Sequence, residues 1–468
     1  MLEQPKKKKP RVAPLVKKWF VSPIIIGLLI GLSLIIGGIG GYFYQSQAAK
    51  TSDSTVLGEE KNIYLSFTGE IYDKIKANYW KKISDEELSN LFLLAAERLT
   101  GQIQNPKEKN RETSLKIIQN ILKQINNEEE QKNFIVQLNN LVLNNLEPFG
   151  RSQLYNQEDE QLLSNVVQNV TDQDHYQTLK VNENASTQEI EKAHQELTRK
   201  LNQQQDNPQA QEKLAQVNQA YQVLKDENTR LLYNASGIEP TISYNLVGNS
   251  ILYLHLTKFS PTTFDELQQA TEKFRGRPGL DTLIVDLRDN IGGAIDSLPY
   301  FLGPFIGQDQ YAYQFFHQGE KIDYKTKTGW LPGLVQYKKV IVLINENTQS
   351  SAEVMASVLK RYNVGILLGT ATRGWGTVEK IFKLDNQIGQ DKTYSIFLAH
   401  SLTLKEDGQP IEGLGIEPRI FISEASWRQE LYSYLPDQNI INTVAQVVTE
   451  QKDSPLKSKP LLEEEQSN

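Results

Sequence analysis

The stretch from Asn345 to Glu379 constrains this chain most, because it sets a polar, serine-bearing turn between segments that suit an α/β layer. It reads Asn345-Glu-Asn-Thr-Gln-Ser350-Ser-Ala-Glu353, then an apolar helix-like run, then Gly369-Thr-Ala-Thr-Arg-Gly374-Trp375-Gly376-Thr-Val-Glu379. The short apolar segments 339–345 and 365–369 read as buried strands, and 377–384 and 394–398 as further strands. The turn carries two serines, Ser350 and Ser351. A serine hydroxyl attacks poorly unless a neighbouring group removes its proton, so the identity of any base decides what this turn can do.

These residues resemble the nucleophile region of the S41 peptidases, the tail-specific or C-terminal processing proteases. The resemblance implies an α/β peptidase-like domain with a ClpP/crotonase-like core and a nucleophilic serine at Ser350. It also implies a lysine base in the glycine-flanked turn and an assisting glutamine four residues later. Those two positions hold Trp375 and Glu379. An indole carries only an N–H donor and no basic nitrogen, so Trp375 cannot serve as the base. Loss of a general base typically lowers rate by about 10²–10⁴-fold. The remaining candidate bases are Glu379, His255, His400, Lys360 and Lys380.

Three further motifs carry the same resemblance in the same order. Ile251-Leu-Tyr-Leu-His-Leu-Thr-Lys-Phe259-Ser resembles the family's first strand, and Asp265–Arg275 has helical spacing. Thr282-Leu-Ile-Val-Asp286-Leu-Arg288-Asp289-Asn290-Ile-Gly292-Gly293 reads as a buried strand running into a Gly-Gly turn. By resemblance, Gly292 or Gly293 supplies one oxyanion donor and Ser351 the other, which would stabilise charge on a carbonyl oxygen. The segment from Leu404 to Pro418 resembles the family's closing motif. Arg361 stands where some members carry an aspartate that supports activity.

The 468 residues allow two or three domains, and the formal charge of −7 gives no bulk reason to expect nucleic-acid binding. With no cysteine, disulfides and thiol chemistry are excluded, and no cofactor or metal is called for. Residues 1–20 are basic and read as a cytoplasmic segment, followed by an uncharged run at 21–44 long enough to span a bilayer. A cleaved signal peptide ending near Ser46-Gln-Ala48 is the alternative; the length of the apolar run favours a retained anchor. The expected localisation is therefore a single-pass membrane protein with its main domains outside the cytoplasm. Gly27/Gly31 and Gly37/Gly41 have the spacing of packing helices, a route to a homo-oligomer.

After a linker at 45–60, residues 61–168 read as a helical domain. Ile63, Phe67, Ile71, Ile75 and Tyr79 recur every four residues, and Ser84-Asp-Glu-Glu87 is a capping box. The element Leu146-Glu-Pro148-Phe-Gly-Arg-Ser-Gln-Leu154-Tyr partly matches a family segment. Where S41 members carry a PDZ domain, residues 170–238 instead resemble a J domain, without the His-Pro-Asp loop expected near Asn202-Gln203-Gln204. The peptidase-like domain takes 240–424. Residues 425–468 read as helix and then an acidic tail of disordered composition. The expectation is a membrane-anchored pseudopeptidase that binds unfolded or C-terminal polypeptide segments. The alternatives are an active S41 serine endopeptidase with a substitute base, and a J-type adaptor.

Overall fold

The structure, a computed structural model, describes residues 62–203, 207–389 and 392–450. The expected membrane span and acidic tail lie outside these residues. No helix among those described is long and apolar enough to cross a membrane.

Four helices open the described chain: Ile63–Asn78, Asp85–Thr100, Arg111–Leu122 and Glu128–Asn144. The expected stripe is buried at Phe67, Ile71, Ile75 and Tyr79, whereas Ile63 at its start is 48% exposed. That position lies at the first turn of the helix, at the start of the described residues. Ser84 caps the second helix: its hydroxyl accepts the Glu87 N–H while the Glu87 carboxylate accepts the Ser84 N–H.

Two sheets follow. The six-stranded sheet contains β2 (Ile242–Val247), β3 (Ile251–Leu256), β4 (Thr282–Asp286), β7 (Lys339–Ile344), β8 (Ile366–Gly369) and β11 (Ile420–Phe421). Its order is β11-β8-β7-β4-β3-β2, parallel except for the β2–β3 pair. All five residues of β4 are buried, as a strand covered on both faces requires. One face packs Leu254, Val285, Val342 and Met355 among the helices; the other packs Ile284 and Leu343 against Gln438–Glu450.

The second sheet runs β1 (Gln153–Asn156), β10 (Tyr394–Leu404), β5 (Tyr311–His317), β6 (Glu320–Lys325), with β9 (Thr377–Lys383) along β10. Its β10 residues Ile396 and Leu398 share one core with Phe67, Ile135 and Leu138 of the helical bundle. The bundle therefore packs directly on the peptidase-like half. A separate small core of Tyr176, Leu179, Ile190, Val217 and Leu224 holds together the helices His175–Leu179, Thr187–Asn202, Pro208–Leu224 and Glu227–Ser236.

The polar anchor of the parallel sheet lies at the carboxyl end of β4. Asp286 is fully buried and accepts from Arg288 Nε at 2.9 Å and from the Tyr253 hydroxyl at 2.6 Å. Burial alone would raise the Asp286 carboxyl, but the bonds and charge of Arg288 outweigh it and hold it below the usual range. Arg288 also donates to the Val447 carbonyl, tying the last helix to the sheet. Arg288→Met should destabilise the fold by about 3–5 kcal/mol in urea unfolding, because a carboxylate is left buried without its partner. The Asp286 contribution is present above the unfolded carboxyl's pKa of about 3.9 and is lost as pH falls through the lower folded value. Stability of the wild type should accordingly fall with acid more steeply than that of an Asp286→Asn, Arg288→Met double variant.

Candidate active site

The loops after β4 and β7 leave the same carboxyl edge of the sheet, the edge where open α/β sheets hold their ligands. The loop after β7 ends at Ser350, which precedes the helix Ser351–Arg361. Its backbone is strained, with φ 56° and ψ −126°, a conformation that L-residues rarely adopt and that costs of order 1–3 kcal/mol. Such a turn lifts a side chain away from the backbone at a strand-to-helix corner, as nucleophile elbows do.

The Gly-Gly loop after β4 packs against this corner. A Cβ on Gly292 would lie 2.6 Å from the Ser350 Cβ, so only glycine fits. A Cβ on Gly293 would meet the Phe259 carbonyl oxygen at 2.1 Å. The Gln349 N–H donates to the Asn290 carbonyl at 3.0 Å, and the Ser351 hydroxyl donates to the Gly293 carbonyl at 3.0 Å. The structure separates the two glycines. The Gly292 N–H donates to Asn290 Oδ1 at 2.9 Å and is occupied. The amides of Gly293 and Ser351 donate to no group among the described residues. They form the donor pair that a carbonyl oxygen or oxyanion can use.

Glu353 joins this corner to the glycine-flanked turn. Its buried carboxylate accepts the N–H groups of Ser350 (2.9 Å) and Trp375 (2.7 Å) on Oε2. Oε1 accepts the Gly374 N–H at 2.7 Å and the Thr372 hydroxyl at 2.5 Å. Ser350 and Trp375 are thus neighbours through one shared oxygen. Burial pushes the Glu353 carboxyl up, against the pull of these four donors. The spacing of Glu353 from Ser350 is that of a capping box, a signal in the sequence that marks this role.

Trp375 does not address Ser350 with its N–H. Its Nε1 donates to Glu379 Oε1 at 3.1 Å, an oxygen that also accepts the Thr377 hydroxyl at 2.5 Å. Burial raises the Glu379 carboxyl, opposed by these two bonds. The Arg151 guanidinium lies 3.5 Å from the centre of the indole ring and pairs with Glu412 at 2.9 Å. Glu412 in turn accepts the Gly376 N–H at 2.7 Å. Arg151 belongs to the segment after the helical bundle, and only the tertiary structure brings it here.

The other candidate bases are engaged elsewhere. His255 Nε2 faces the Arg288 carbonyl at 3.4 Å. The His400 ring stacks on His317 at 4.1 Å, with Nδ1 on the Ser401 hydroxyl at 2.7 Å. Burial, Lys380 and His317 together push His400 down to about 3. Lys380 Nζ approaches His400 Nε2 at 3.5 Å, and Lys360 Nζ donates to the Glu417 carbonyl at 2.8 Å. Arg361 donates to the carbonyls of Tyr311 and Ala312, both at 2.7 Å. Among the described residues, no lysine or histidine nitrogen hydrogen-bonds the Ser350 hydroxyl.

Glu353→Gln tests the junction. One carboxamide oxygen can keep only two of the four donors, and the amide nitrogen confronts the rest. We expect a loss of about 1–3 kcal/mol in chemical unfolding. An unchanged stability would show that the four contacts are not what joins the two turns.

The model of peptidase family S41 matches residues 250–422, and the DnaJ domain model matches residues 174–234. The carboxy-terminal-processing protease of Bartonella bacilliformis is 28% identical over 187 residues, 39% of this chain and 41% of that protein. A probable CtpA-like serine protease of Staphylococcus epidermidis is 30% identical over 199 residues, 42% of this chain and 38% of that protein. The chain thus spans less than half the length of these curated relatives. Among solved structures, a lipoprotein from Streptococcus agalactiae covers 82% of this chain and 99% of its own at 14% identity, with a TM-score of 0.44. The photosystem II D1 C-terminal processing protease covers 39% of this chain and 48% of its own at 18% identity, with a TM-score of 0.34. The likeness to peptidase family S41 is thus carried by residues 250–422, and the likeness to the DnaJ domain by residues 174–234.

Proposed function

We propose that this protein is a membrane-anchored, extracytoplasmic S41 pseudopeptidase, one that binds polypeptide in its groove with hydrolysis impaired. The observation that carries this reading is the Trp375 N–H turned onto Glu379, with no amine or imidazole hydrogen-bonded to the Ser350 hydroxyl among the described residues. The relatives' names as processing proteases point to polypeptide as the ligand. The free amides of Gly293 and Ser351 support carbonyl binding, which requires no proton transfer. The anchor at 21–44 and the position outside the cytoplasm rest on the basic segment and apolar run alone.

One observation favours a second reading, residual hydrolysis with Glu379 as base. Its carboxyl is raised by burial, which brings a carboxylate closer to useful basicity. Against it, the oxygen that would take the proton already accepts two hydrogen bonds. For an adaptor role through the DnaJ-type segment, the residues Asn202-Gln203-Gln204 lack the His-Pro-Asp element, so Hsp70 turnover should not rise on adding the protein.

Hydrolysis of an unfolded protein such as casein by the full chain separates the first two readings. Wild type and Ser350→Ala should both stay at background. Trp375→Lys alone should also stay low, because the Glu379 carboxylate would hold the new amine protonated. Trp375→Lys with Glu379→Gln should gain activity by about 10²-fold or more. Hydrolysis by wild type that Ser350→Ala abolishes would refute the pseudopeptidase reading.

A further inference from the structure

The loop from Lys327 to Trp330 runs along one side of the helix Leu298–Ile306. The Lys327 N–H donates to the Pro299 carbonyl at 2.9 Å, and the Thr328 hydroxyl donates to the Tyr300 carbonyl. The Trp330 ring lies against Gly307, where a Cβ would stand 3.1 Å from its Nε1. Tyr300 and Gly307 are seven residues, or two turns, apart, so they share one side of the helix at a separation of about 10 Å.

The large side chains along this stripe stay open to solvent. Tyr300 is 43% exposed, Trp330 60% and Val335 63%, and the Val335 N–H donates to the Leu331 carbonyl at 3.2 Å, one residue beyond Trp330. Exposed apolar residues scattered singly need no explanation; these lie together on a backbone fixed by hydrogen bonds. Lys327 Nζ stands 5.0 Å from the centre of the Tyr300 ring, and Lys325, two residues earlier, is also exposed. Asp309 adjoins them, its N–H donating to the Thr326 carbonyl at 3.1 Å. Neither lysine is ion-paired among the described residues.

Charge and ring chemistry together say what covers the stripe. Residues 321–339 hold five lysines (Lys321, Lys325, Lys327, Lys338 and Lys339) and one acid, Asp323, a balance of +4 in a chain whose formal charge is −7. The segment is thus opposite in sign to the chain as a whole and suits an anionic surface. Tryptophan and tyrosine beside lysine is the combination that sits at headgroup level in a bilayer, with rings at the apolar boundary and ammonium groups at the phosphates. The apolar run at 21–44, read as a span, would keep a bilayer within reach, which favours lipid over an acidic polypeptide as the partner.

We infer that the stripe of Tyr300, Trp330 and Val335 docks on an anionic bilayer, the indole and Val335 entering the headgroup boundary while Lys325 and Lys327 meet lipid phosphates. The inference rests on the membrane-anchored reading for the nearness of the bilayer. Because the chain has no cysteine, Val335→Cys accepts a single environment-sensitive fluorophore, and Leu231→Cys, at a residue 48% exposed on the helix Glu227–Ser236, serves as reference. The full chain is reconstituted in phosphatidylcholine vesicles with or without phosphatidylglycerol, with spin-labelled lipid as quencher. We expect quenching at position 335 and not at 231, stronger with phosphatidylglycerol. Lys325→Gln and Lys327→Gln should each lower the ratio of docked to undocked label about fivefold, and Lys327→Arg should retain it. Trp330→Ser should lower it as well. Equal quenching at 335 and 231, quenching indifferent to lipid charge and to the lysine variants, or a response to soluble polyglutamate with none to anionic lipid would each overturn the proposal. In those cases protein that still floats with neutral vesicles leaves the anchor standing. Protein that floats only with anionic vesicles, and is released by the lysine variants, would instead overturn the anchor and uphold the docking surface.

Discussion

The site depends on one buried carboxylate with four donors. Glu353 sits in the first turn of its helix, so its side chain can reach back to the Ser350 N–H, and its remaining capacity reaches the turn from Thr372 to Trp375. A carboxylate in this position is costly to bury and is held only because every direction around it offers a hydrogen. The strained backbone at Ser350 persists on the same ground, over-determined by Glu353 on one side and the Gly-Gly loop on the other. The S41-like corner, including the free amides of Gly293 and Ser351, therefore stands with an indole, not an amine, at position 375.

Around that centre, Trp375 is accommodated by partners of matching chemistry. Its ring face takes the Arg151 guanidinium, a cation–π contact, and its N–H takes Glu379. Arg151, Glu412 and the Gly376 N–H then close a polar chain from the segment after the helical bundle to the turn itself. Because the bundle also shares its apolar core with β10, with Tyr155 stacked on Phe397 at 4.8 Å, this arginine is positioned by packing. The indole at position 375 is thus supported by its surroundings and not merely tolerated.

The DnaJ-type segment is joined to the peptidase-like half by a different kind of contact. The His175–Glu239–Gln219 network is buried and polar, and its specificity comes from geometry rather than area. In consequence the module is held at one end, near Glu239, while its two long helices stand off the β2–β3 face and leave a cleft between them.

Much of this was legible from residues alone, wherever the signal is local. The alternating and continuous apolar runs locate β3, β4, β7 and β8, and the capping box at Ser84 marks a helix start, because period and caps act over a few residues. The presence of Ser350 and the absence of a lysine at 375 are likewise properties of the chain. The edge strand β6 gave only a weak signal: Ile322 and Tyr324 alternate, but the other four residues are charged and the strand is mostly exposed. Tertiary structure alone decided which glycine keeps a free amide, through Asn290. It alone placed His255 and His400 away from Ser350, and it brought Arg151 to Trp375 and Glu412. The physical reason is largely separation along the chain: His255 and Arg288, and Arg151 with Trp375 and Glu412, lie tens to hundreds of positions apart, and only the packed core determines which of them meet.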